Sequence, residues 1–125
     1  MTLGEDEEKD LKKMTILVVE VSTAQRARIV HLRNRMLAHS SSEIFLFPLR
    51  PSSEIHLKNL TDEGERIVRT LAEIEGTTEV DVGLYLITIH FGLSFKWDGE
   101  IADKTLNVLK RHLEDDSLTF GPAAD

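Results

Sequence analysis

Five histidines, His31, His39, His56, His90 and His112, are the only soft ligands in the chain, because cysteine is absent. None of them stands at an H-x-x-x-H or other recognised metal-binding interval. His31 and His90 both fall in apolar, β-branched stretches. If those stretches pair as adjacent strands, the two imidazoles share a face and a metal or small-molecule site becomes conceivable there. The plainer reading makes them the polar side of an alternating strand. Nucleophile motifs are missing: there is no G-x-S-x-G, no S-x-x-K and no thiol. Ser40, Ser41 and Ser42 follow His39, but a serine run between elements reads as a loop. Asp98, Glu100 and Asp103 cluster where helix capping explains them without catalysis. The "GLYLITIHFG" segment carries glycines, yet no G-x-G-x-x-G and no phosphate-binding lysine. No catalytic residue, metal ligand or cofactor is assigned, and a non-enzymatic protein is the expectation.

The most distinctive local charge is basic. Arg26, Arg28, Arg33 and Arg35 lie in a window from Ser22 to Ser42 that holds no acid. Such a cluster suits an acidic protein surface, RNA or an anionic ligand, or simply balances nearby acidic elements. It has no interleaved aromatics, and the whole chain carries a net charge of −7, so RNA is the weaker choice and a protein partner the stronger. Trp97, next to Asp98, reads as an apolar anchor where a helix begins; exposed beside Phe95 it would instead be a docking hot spot. Arg26, Arg28, Arg33, Arg35 and Trp97 are therefore the candidate partner-binding residues.

The elements that must hold these residues fit one domain, since 125 residues bury a sufficient core without disulfides. Residues 1–13 are acidic, with almost no apolar surface, and read as a disordered leader. Residues 14–114 form the domain, and 115–125 read as a flexible tail. The leader lacks the apolar core of a secretory signal, and no apolar run approaches membrane-spanning length, which points to a soluble cytoplasmic protein.

Thr15 to Val21 is a buried-strand pattern. "QRARIVHLRNRML" admits two readings. As a helix it would be capped by Ser22 and Gln25, with Ile29, Leu32 and Met36 on one face. As a strand it would pair back on residues 15–21. Propensity favours the helix. Ile44–Phe47 and Ile55–Leu57 are short apolar pieces broken by Pro48 and Pro51, so one of them adds at most an edge strand. Thr61 or Asp62 caps a helix whose Ile67, Val68, Leu71 and Ile74 share a face, with Glu65 and Arg69 paired across one turn. Gly76 is expected to close it as the left-handed C′ residue. Val80 and Val82, then Ile87, Ile89 and Phe91, alternate as two strands. A second helix is expected from Asp98 as N-cap, with Ala102, Leu106, Leu109 and Leu113 as its stripe.

The run from Thr61 to Leu113 resembles the N-terminal domain of the Nfu/NifU iron–sulfur scaffold proteins. The resemblance rests on Leu71, Ile74, Gly76, Val80, Val82, Ile87, Thr88, Ile89, Trp97 and Asp98. It covers about half of the chain well. Thr23 to Leu32 stands where that family has a Thr-Pro-Asn-Pro turn leading into a strand, and Thr77 replaces a valine. The C-x-x-C domain that holds the cluster in the family is absent from this sequence. The resemblance implies a strand over the arginine segment, and so an α+β two-layer sandwich of order β-β-(β)-α-β-β-α, an antiparallel sheet with two helices on one face. It further implies an accessory domain that contacts an iron–sulfur scaffold or target protein and ligates no cluster itself.

Overall fold

The computed structural model describes residues 15–22 and 26–121; the acidic leader lies outside them. A five-stranded antiparallel sheet organises the chain. Its strands are β2 (Val19–Val21), β3 (Ala27–His31), β4 (Glu43–Leu46), β5 (Thr77–Val82) and β6 (Leu86–Phe91), in the spatial order β2-β3-β6-β5-β4. The arginine segment is thus a strand. Arg28, Val30 and Ile29 face Val21, Val19 and Glu20 across a hairpin, so burial of Ala27 and Val30 overrides helix propensity.

Register sorts the residues of this sheet onto two faces. Val19, Val30, Ile87, Ile89, Val80, Val82 and Phe45 face one way and are all buried. Helices α2 (Asp62–Leu71) and α3 (Ala102–His112) cover that side, contributing Ile67, Val68, Leu71, Val108 and Leu109 to the same core. Their apolar stripes are too wide to bury on each other alone, so the two-layer α+β sandwich follows. Thr61 is the cap of α2, its hydroxyl accepting from Gly64 N at 3.0 Å, and Glu65 pairs with Arg69 at 3.0 Å.

Several boundaries differ from the sequence reading, each for a local reason. Helix α2 ends at Leu71, before Gly76. The hydroxyl of Thr77 reaches the carbonyls of Leu71 at 2.9 Å and Ile74 at 2.7 Å, closing the end of the helix from the next strand. Gly76 (φ +97°) makes the turn into β5 instead of serving as C′. Asp98 is extended (φ −63°, ψ 135°) and Gly99 takes φ +88°, so Asp98 is not the N-cap and regular helix waits until Ala102. Ile55–Leu57 belongs to a short helix α1 (Glu54–Leu57) behind Pro51, and Ile44–Leu46 supplies the edge strand.

Residues 115–121 are not simply a tail, and 122–125 lie outside the described residues. At the end of α3, Glu114 (φ +53°) turns the chain and Asp115 N donates to Lys110 O at 3.0 Å. That turn delivers β7 (Leu118–Phe120) parallel to β1 (Thr15–Leu17), from Thr15 opposite Leu118 to Leu17 opposite Phe120. Residues 15–21 therefore serve two sheets, with the break at Val18.

Candidate functional site

One end of the covered face is closed by a loop instead of a helix. The loop, residues 92–96, is fixed from three sides. Gly92 N donates to Gly76 O at 2.9 Å, Phe95 N donates to Gly92 O at 3.0 Å, and the Arg26 guanidinium donates to Phe95 O at 3.1 Å. Gly76 is required here twice over. Its φ is positive, and a Cβ at that position would sit 2.4–2.8 Å from the Phe95 ring.

The loop and the β3–β6 end enclose a cleft of about 320 Å³ lined by Arg26, Arg28, Phe91, Phe95, Lys96, Trp97 and Asp98. Arg28 alternates onto the covered face beside Ile89, where the sheet runs out of helix. Its guanidinium lies 5.5 Å from the centre of the Phe91 ring and donates to Ala27 O at 3.0 Å. Arg26 and Lys96 are exposed at the mouth, with Asp98 as the single acid. Among the described lining residues, three cations against one carboxylate, over an aromatic floor, suit a carboxylate or another anionic group of a partner. Among the described residues, the lining holds neither hydroxyl nor thiol nucleophiles.

The structure divides the predicted arginine cluster. Arg26, Arg28 and Trp97 come together, while Arg33 and Arg35 do not line the cleft. The Arg35 guanidinium donates to Leu37 O at 2.7 Å, tying the loop on which α2 begins. Arg33 faces the C-terminal segment. There the Asp115 carboxyl is held below its ordinary value by donors of Ser117 first, with Arg33 adding to them. Trp97 is only 5% exposed, with its ring centre 5.6 Å from that of Phe120. It is the anchor at the start of the last helical segment, and it gives the cleft a wall more than a contact surface. Lys96 went unrecognised in the sequence, and Phe95 was singled out there only as a neighbour of Trp97. The signal was the Phe-Lys-Trp run, meaningful only once Gly76 and Arg26 are seen to pin it.

His31 and His90 do share the uncovered face but stand apart. His31 pairs with Leu86 and His90 with Ala27, four residues along β6, or about 13 Å. His31 meets Glu20 at 2.8 Å. His90 meets Asp81 at 3.0 Å and Glu79 at 3.4 Å. Among the described residues, Glu79, Asp81 and His90 are the one group of three ligand-type side chains close enough to hold an ion. The Asp81 carboxylate, hydrogen-bonded to Glu79, holds the Glu79 carboxyl above its ordinary value; partial burial and charge repulsion add to this, and His90 opposes it.

The fold and cleft define an α+β sandwich domain with one helix-covered sheet face. Two solved structures share it. A NifU-like protein from Saccharomyces cerevisiae is 12% identical, with a TM-score of 0.55 over 94% of this chain and 89% of its own. Protein SAV1430 from Staphylococcus aureus is 9% identical, with a TM-score of 0.55 over 76% of this chain and 99% of its own. At such identities the likeness is one of fold, distant in sequence. No protein-family model matches the chain, and no curated protein matches it. Among the described residues, no helix is long and apolar enough to cross a membrane.

Proposed function

We propose that this chain is a non-enzymatic interaction domain serving iron–sulfur cluster assembly or delivery, and that it docks an acidic segment of a scaffold or target protein at the Arg26–Arg28–Lys96 cleft. The observation that carries the reading is the cleft itself, in which cations from β3 and from the 92–96 loop converge on one anion-sized space. The NifU-like structural neighbour supports the setting, at the level of fold. The domain ligates no cluster through cysteine, because it has none; the cluster belongs to the partner.

RNA is the alternative occupant, because Phe91 and Phe95 supply the aromatic neighbours that the arginine segment lacks in sequence. Phe91 and Trp97 are only 6% and 5% exposed, which leaves the partly buried Phe95 as the one stacking surface in the lining. That is poor for a base ladder and adequate for a peptide. The test is binding of a cluster-loaded C-x-x-C scaffold, measured calorimetrically at two salt concentrations. Lys96→Glu and Arg28→Glu should each weaken it about tenfold or more, and Arg33→Glu should leave it unchanged. Absence of binding to every scaffold tried, or equal loss in Arg33→Glu, overturns the docking site. Tight, steeply salt-dependent binding of a single-stranded RNA in its place would transfer the cleft to the second reading.

A further inference from the structure

The uncovered face of the sheet carries a site independent of the cleft. Strand β5 presents Glu79 and Asp81 two residues apart on this face, and β6 sets His90 opposite Glu79. We propose that Glu79, Asp81 and His90 bind a divalent transition-metal ion of zinc-like character, through one imidazole nitrogen and two carboxylate oxygens, with water completing the coordination.

Geometry is the first argument. Bonds of about 2.0–2.2 Å place neighbouring ligand atoms about 2.9 Å apart in an octahedron and about 3.4 Å apart in a tetrahedron. His90 Nε2 lies 3.0 Å from Asp81 Oδ2 and 3.4 Å from Glu79 Oε2, and the three ligand atoms all fall within 4.8 Å of one another. An ion can enter with little movement of the side chains. The ligands also stand on β5 and β6, which have paired strands on both flanks, so the backbone beneath them is fixed.

Charge is the second argument. Two carboxylates meet here against a single imidazole, and the cross-strand neighbours bring no compensation. Ile44 lies opposite Asp81, Leu46 opposite Glu79, Thr88 opposite Asp81 on the other side, and Ala27 opposite His90. Asp81 Oδ1 is out of solvent contact and has no donor when both acids are ionised. A buried carboxylate oxygen without a donor is costly unless a cation or proton meets it. The mixed donor set then selects the ion: an imidazole favours zinc, cobalt or similar metals over magnesium and calcium, which prefer all-oxygen shells. Zinc accepts three protein ligands with an open position for water.

The experiment is a calorimetric zinc titration of the chelator-stripped full chain. The account predicts one ion per chain, affinity reduced about tenfold or more in His90→Ala and in Asp81→Asn, and no change in His31→Ala. Unchanged zinc affinity in His90→Ala, an equal loss in His31→Ala, or no zinc uptake by the wild type overturns it. Cobalt(II) added to the wild type gives a readout that needs no variant to fold. Visible absorption typical of four or five ligands supports the site. A spectrum unchanged from the free aqueous ion contradicts it.

Discussion

The two faces of the five-stranded sheet are built from the same strands and obey opposite rules. On the covered face Val30, Val80, Ile87 and Ile89 are fully buried and share one apolar core with residues of α2 and α3. On the open face Glu20, His31, Glu79, Asp81 and His90 pair into small charged groups, beside the exposed Ile44 and Leu46 of the edge strand. The covered face supplies cohesion, and chemistry is left to its frayed end and its reverse. Arg28 marks the border: it alternates inward, yet it lies where helix cover stops, so its charge meets a cleft and not the core.

The sharpest way to break this contrast is to truncate adjacent side chains of β6 to alanine, one on each side. Ile89→Ala on the covered face should cost about 2–5 kcal/mol in urea unfolding, while its open-face neighbour Thr88→Ala should stay within about 0.5 kcal/mol. Comparable losses would mean that the layers are not as described. Next comes Gly76→Ala. Backbone strain at φ +97° and collision with Phe95 should together cost about 1–3 kcal/mol and also loosen the 92–96 loop, visible as changed Trp97 fluorescence.

A smaller effect, of the opposite sign, is predicted inside α3. Thr105 is fully buried and its hydroxyl has no hydrogen-bond partner, so Thr105→Val should raise stability by about 1 kcal/mol. The smallest belongs to the open face. Folding raises the affinity of Glu79 for its proton, so this group favours the folded state below the usual carboxylate value of 4.5 and loses that contribution as pH rises through the elevated value. Glu79→Gln should therefore melt slightly higher than wild type at pH 7 in the presence of chelator, by about 0.5 kcal/mol or less, and show no such gain at pH 4. A destabilised Glu79→Gln at pH 7 would show that the carboxylate pair is held favourably and not in conflict.

Much of the covered face was legible in the sequence, because it follows from period and capping alone. Thr61 and the 67/68/71 stripe specify α2, and the alternation of Val80, Val82, Ile87, Ile89 and Phe91 specifies the central hairpin. What escaped depends on distant parts of the chain. Leu118–Phe120 is too short to announce a strand and is ordered by Thr15–Leu17, about a hundred residues earlier. Asp98 has the chemistry of a cap, but Gly99 at positive φ delays the helix. Of the candidate partner residues, Arg26 and Arg28 meet Lys96 only because Gly76 admits Phe95. Glu79, Asp81 and His90 become a group only through the register of β5 on β6.

The most direct test of the docking account is an NMR titration of isotope-labelled protein with a cluster-loaded C-x-x-C scaffold. Shifts confined to the amides of Arg26, Arg28 and residues 92–96 and to the Trp97 indole, with Thr88 and His90 silent, are the predicted result. Shifts centred on the open face, or none at saturating scaffold, would contradict it.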